Sequence, residues 1–248
     1  MPTYTRPGVE AAVRLSKVVE QNKQLWTSIE ARYNDMLVVK KKGKKDLLQL
    51  DKECEELGSK WKSTDNGKDD MKNDNGAFMT CEQLYLIMKW KFSKGKSRPL
   101  WQYINSNSEA SVRKHSNIAF SKICEDENDV NGAINELCNL KGIGAAGASA
   151  ILSLFKPEIF VFMDDEVIEC LHDGKREYNL KVYTIINDKC KKIAAKLGNE
   201  WTPRRVGKAL WSAAIISGYT DEEDLTLGSA IASSNDTSRV KKRQKTSK

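Results

Sequence analysis

One run of the chain is compatible with few folds: Leu137-Cys138-Asn139-Leu140-Lys141-Gly142-Ile143-Gly144, followed by Ala145-Ala146-Gly147-Ala148-Ser149-Ala150-Ile151-Leu152. It predicts two short helices joined by a tight turn. Gly142 and Gly144 permit backbone angles and close approaches that a Cβ would forbid. The small residues Ala145, Ala146, Gly147, Ala148 and Ala150 let the second helix lie close against the first, with Ile143 pointing into the seam. Loop amides and the N-terminus of the second helix can then face an anion such as a phosphate. Two glycines around an aliphatic residue also make ordinary helix corners. The apolar residues Leu137, Leu140, Ile151 and Leu152 on either side make this pattern more specific than a lone pair of glycines.

Downstream, Phe155 to Met163 is a short apolar connection that ends abruptly in Asp164-Asp165-Glu166 before Val167, Ile168 and Leu171. A carboxylate thus stands at the start of a new helix. Aspartate is favoured there because it caps free amides and suits the helix dipole. Such a cap can also serve chemistry.

Residues 133 to 172 resemble the helix-hairpin-helix DNA glycosylase superfamily. In that family a Leu-x-Gly-hydrophobic-Gly-x-x-x-Ala hairpin, matched here by Leu140 to Ala148, precedes an apolar segment and the catalytic aspartate. The resemblance implies that the hairpin, through Lys141, Gly142, Ile143, Gly144, Ala145 and Gly147, holds the DNA backbone. It also implies that the aspartate stabilises positive charge on the sugar as the base leaves, or positions the attacking water. Family spacing falls on Asp164 in the endonuclease-III-like branch and on Asp165 in branches with one more residue. The Asp164-Asp165 pair also looks like that of the alkyl-base glycosylases, whose second aspartate is catalytic, which favours Asp165.

Three departures narrow the expectation. Ala146 stands where bifunctional members place a Schiff-base lysine, and Lys141 has the wrong offset, so the implied chemistry is monofunctional hydrolysis. Asp165-Glu166 replaces the Thr-His of the endonuclease-III branch, and the extra acid is expected to repel DNA. Cys54, Cys81, Cys124, Cys138, Cys170 and Cys190 contain no Cys-x-x-Cys pair, so neither an iron-sulfur cluster nor a structural zinc is expected. No cofactor or metal is expected. His115 and His172 are too isolated for a triad. The absence of an apolar opening segment fits reduced thiols inside a cell.

The composition, with 40% apolar and 30% charged residues and no membrane-length apolar run, fits one large domain and a tail. The net charge of +7 misleads, because Arg239, Lys241, Lys242, Arg243, Lys245 and Lys248 supply most of it. Residues 229–248 read as a disordered basic tail suited to nuclear import. Basicity in the body lies in three clusters: Lys40 to Lys45; Lys89, Lys91, Lys94, Lys96 and Arg98; and Lys189 to Lys208. They are solvated faces, or a DNA footprint if they flank the hairpin.

Helical signals dominate the body. Leu25, Trp26, Ile29, Tyr33 and Leu37 recur with helix spacing, and Val9 to Val39 holds one long helix or two shorter ones. Thr80 and Gln83 form a capping-box signature, while Thr202 and Pro203 open a helix that can stop at Gly218. Residues 58–76 read as a long polar loop. Tyr85 and Trp90 can face a base pocket while Lys89 and Lys91 meet phosphates, or the rings can be core with lysines snorkelling past them.

The expected fold is therefore all-α, two helical subdomains around a cleft, over residues 1–228 with the helix-hairpin-helix at 133–155. The expected protein is a monomeric DNA-repair glycosylase that acts on a flipped, damaged base in double-stranded DNA, with no membrane partner. The alternatives are a non-catalytic DNA- or chromatin-binding protein whose aspartates only cap, and a protein-interaction scaffold.

Overall fold

Helix periodicity becomes eleven helices among the described residues of a computed structural model, which are 13, 16, 22–40, 46–65, 77–95 and 99–218. No strand is present among them. Within the stretch from Val9 to Val39, the described part holds two helices, α1 (Lys23–Ala31) and α2 (Tyr33–Lys40), separated at Arg32, while residues 9–21 other than 13 and 16 lie outside the described residues. Then follow α3 (Asp46–Asp65), α4 (Cys81–Lys94), the one-turn α5 (Trp101–Ile104), α6 (Glu109–Glu125), α7 (Val130–Leu137), α8 (Ala145–Phe155), α9 (Asp165–Leu171), α10 (Leu180–Leu197) and α11 (Pro203–Gly218). Local chemistry sets several ends. Thr80 and Gln83 complete the capping box of α4, and Asn179 caps α10 by accepting from the Val182 amide. The basic tail, the rest of the Lys40 to Lys45 run, Lys96 and Arg98 lie outside the described residues.

Helix α8 organises the interior. Ten of its eleven residues are buried, leaving only Ala146 partly open. It packs against α3, α4, α7 and α10, while α1 and α2 pack on α11. A helix enclosed in this way must be apolar all round and small where neighbours come closest. Both conditions are met by its Ala/Gly/Ser half and its Ile151-Leu152-Leu154-Phe155 half. One continuous apolar cluster runs from Leu25 to Ile216. In its middle Phe155 stacks on Phe120 at 4.0 Å, with Trp61 against both.

The polar-loop expectation for 58–76 fails at its start. Residues 58–65 are the end of α3, and 66–76 lie outside the described residues. Gly58 is a contact point rather than a turn: a Cβ there would sit 2.6 Å from the Leu154 carbonyl oxygen. Helices α3 and α8 approach so closely that only glycine fits.

The apolar segment after α8 is extended but pairs with no strand. Side chains satisfy its backbone instead. The Met163 amide donates to Ser149 Oγ on α8 at 3.0 Å. The Val161 amide donates to Asn187 Oδ1 at 2.9 Å, and Asn187 Nδ2 returns a bond to the Ile159 carbonyl at 3.0 Å. Buried backbone groups need such partners. Ser149 and Asn187 thereby fix where this segment delivers Asp164.

Gly58→Ala is expected to destabilise the protein by about 1–3 kcal/mol, because backbone rather than a side chain must move. Gly144→Ser, at a site open to solvent, is expected to leave stability within about 0.5 kcal/mol of the native protein, since serine is a good N-cap. Urea unfolding midpoints of the two variants check both.

Candidate functional site

The Gly142–Gly144 turn joins α7 to α8 as expected, but its two glycines do different work. Gly142 has φ +79°, a left-handed angle, and a Cβ on it would meet Ile104 Cγ1 at 3.0 Å and Tyr103 Cβ at 3.2 Å. Gly144 has φ −114°, and a Cβ there would meet nothing within 4 Å. The fold itself has no need of glycine at 144, which corrects the expectation that both serve backbone angles. Gly144 is exposed and starts α8 without a side-chain cap, so no N-cap side chain meets the first amides of α8. Asn107 pins the turn from outside, accepting from the Lys141 amide at 2.9 Å and donating to the Lys141 carbonyl at 3.0 Å. Ile143 is buried in the seam, touching Gly147.

Each acid of the run at the start of α9 has a basic partner. Lys94 Nζ lies 2.5 Å from Asp164 Oδ2. Arg176 Nη1 lies 3.0 Å from Asp165 Oδ2, and Tyr178 donates its hydroxyl to Asp165 Oδ1 at 2.8 Å. Lys40 Nζ lies 2.7 Å from Glu166 Oε1. Three consecutive acids thus meet three cations from three separate segments, and Arg176 is shared with Glu169, a fourth acid on α9. Asp164 occupies the N-cap position of α9, yet its side chain makes no capping bond. Its carboxylate turns to Lys94 instead.

Lys94 is the least expected member of this group. Read as part of an exposed basic cluster, it is 3% exposed, with its ammonium 4.4 Å from the centre of the Trp211 ring and 5.0 Å from that of Tyr33. Trp90 and Phe162 stand slightly further off. The rings favour the cation through their faces, and Asp164 supplies the counter-charge. Burial pushes the Asp164 carboxyl up and the Lys94 ammonium down, each opposed by the charge of the other. Beside them, Asp51 accepts from Tyr33 at 2.7 Å and from the Trp90 indole at 2.8 Å. Arg204 is also buried and joins Ser153 to Glu55. Burial opposes the Glu55 charge, yet Arg204 and Lys208 hold its carboxyl down at about 2.

These two constructions meet in one cleft of about 340 Å³. Gly142, Gly144, Ala145, Ala146 and Gly147 line one part of it, Asp164, Asp165 and Tyr178 another, and Met88, Lys91, Phe92 and Leu100 a third. Among the residues singled out in the sequence, the cleft therefore gathers four of the six turn residues, both aspartates and Lys91. Lys141 is exposed, Ile143 is buried in the seam, and neither lines the cleft. Trp90 is corrected outright: it is 1% exposed, hydrogen-bonded to Asp51 and packed on Phe162, so no base can reach it. Tyr85 and Lys89 are exposed on α4 outside the cleft. In the third basic cluster, Arg204, Arg205 and Lys208 pair with Glu55 and Glu30.

Asn107, Lys94, Arg176 and Tyr178 were not legible as site residues. Of these only Lys94 carried a signal, a lysine in an aromatic-rich helix. None of the six cysteines is in a disulfide, and among the described residues no group of three or more His, Cys, Asp or Glu is placed to hold a metal. No helix among them is long and apolar enough to cross a membrane. Comparison with known protein families, curated proteins and solved structures found no match.

Lys94→Met strands a buried carboxylate and is expected to destabilise the protein by about 3–5 kcal/mol. Adding Asp164→Leu to it is expected to recover most of that loss, because the uncompensated charge is gone. Thermal and urea unfolding of the single and double variants measure the coupling.

Proposed function

We propose that this protein binds double-stranded DNA through the Gly142–Gly147 turn and hydrolyses the N-glycosidic bond of a damaged nucleotide drawn into the cleft. One observation carries the reading: the turn and the aspartate pair, separated in sequence, line the same cleft. Its volume is within the range of small-molecule sites. Uncapped amides at the start of α8 suit a phosphate. An exposed glycine with no internal reason to be glycine suits the close approach of a ligand backbone.

Asp165 is the carboxylate in the catalytic role, and Asp164 anchors the start of α9 through Lys94. Asp165 keeps 16% of its side chain exposed, against 4% for Asp164. Facing a flipped sugar, the Asp165 carboxylate would stabilise the positive charge that develops as the base departs. The reading rests also on the resemblance to helix-hairpin-helix glycosylases, and with alanine at position 146 the chemistry it implies is hydrolysis without an amine nucleophile. The basic tail supports a nuclear location.

A second reading has its own support. Arg176 and Tyr178 occupy both oxygens of Asp165, as suits a non-catalytic DNA-binding protein that uses the cleft for recognition alone. Capping as the sole role of the aspartates has less support, since Asp164 makes no capping bond.

Mass-spectrometric detection of free bases released from duplexes carrying alkylated, oxidised and deaminated bases separates the two. The enzyme releases a base, and Asp165→Asn is expected to lower that release by at least about 100-fold while DNA binding is retained. Salt-sensitive binding without release by the native protein favours the second reading. Absence of DNA binding overturns both.

A further inference from the structure

We propose that the surface beside the cleft is a stacking ledge for unpaired nucleobases, so that the protein prefers duplex DNA that carries a short single-stranded stretch. The proposal rests on the DNA-binding reading of the cleft and adds the form of DNA that is taken.

The ledge is built around Tyr85. Four large apolar side chains among the described residues are exposed, and the two aromatic ones, Tyr85 at 46% and Tyr103 at 50%, both belong to this region. Tyr85 lies on Trp101 with ring centres 4.9 Å apart and planes tilted by 39°. Trp101 in turn meets Phe92 edge-on at 5.2 Å, and Phe92 lines the cleft. A run of three rings therefore leads from the cleft wall out to solvent. Tyr103 stands on α5 next to Gly142, with its Cβ 3.2 Å from where a Gly142 Cβ would be. Trp101 and Phe92 hold the Tyr85 ring from one side, so it meets solvent without ordering a flexible side chain.

Charge selects the occupant. Lys89 is exposed one helical turn beyond Tyr85 on α4, Lys91 lines the cleft and Lys141 is exposed on the turn. The acids nearby are Asp164 and Asp165, which line the cleft paired with Lys94 and Arg176, Glu82 in the first turn of α4, and Glu109, which is bound to Arg113 and the Cys81 amide. Exposed rings interleaved with lysines fit a strand whose bases stack while its phosphates meet cations. Every base has a stacking face, so the ledge favours unpaired strand of any sequence.

Fluorescence anisotropy with a fully paired duplex, and with the same duplex bearing a short overhang, tests the proposal. The native protein is expected to bind the overhang form about tenfold more tightly or better, and Tyr85→Ala to abolish that preference while leaving affinity for paired duplex unchanged. Tyr85→Trp is expected to retain it. Equal affinity for both probes, or a preference that survives Tyr85→Ala, overturns the ledge and leaves the cleft reading standing. No salt-sensitive binding of either probe overturns both. If Tyr85→Ala instead converts a dimer to a monomer in sedimentation, with the preference intact, the ledge is a contact between copies and the proposal fails.

Discussion

The close enclosure of helix α8 is the constraint from which the rest of this structure follows. A helix buried on all sides must approach its neighbours at backbone distance, which is why Gly58 abuts the Leu154 carbonyl and Gly147 accommodates Ile143. Enclosure also fixes both ends of what it supports. Its N-terminus is the glycine turn. Ser149, from its middle, holds Met163 and therefore the entry to Asp164. The turn and the carboxylates are positioned by one rigid element, and the geometry between them is set by packing rather than by loop flexibility.

Opposite the turn, the site is held by charge. Desolvating Asp164 and Lys94 is unfavourable unless each has the other, and the rings of Tyr33, Trp90, Phe162 and Trp211 make the buried position tolerable for the ammonium. Those rings come from α2, α4, the extended segment and α11. The pair therefore ties the two described ends of the chain to the segment that carries the acids. The neighbouring acids follow the same rule, Glu166 with Lys40 and Asp165 with Arg176, so each of the three consecutive acids has a cation beside it.

What was legible in the sequence was local. The turn, the capping box at Thr80, the helix opened by Pro203 and the acids at a helix start all depend on residues within a few positions of one another. What was not legible depends on partners far along the chain. Lys94 looked like one of a row of surface lysines because nothing adjacent to it predicts four rings from elsewhere. Trp90 looked available for a base until Asp51 and Phe162 enclosed it. Gly58 read as the start of a loop, because a glycine forced by a neighbouring helix looks in sequence like one forced by a turn. Gly144 shows the converse: its residue type stands out in the sequence, but only the empty space around its Cβ position shows that the fold does not require glycine there.

Hydrogen–deuterium exchange on the native protein, with and without duplex DNA carrying an abasic-site analogue, tests most directly whether the turn and the aspartates form one DNA site. The account predicts that DNA slows exchange together in two separate stretches, the amides of residues 141–147 and those around 163–166. Slowing confined to other parts of the molecule, with both stretches unchanged at saturating DNA, would contradict it.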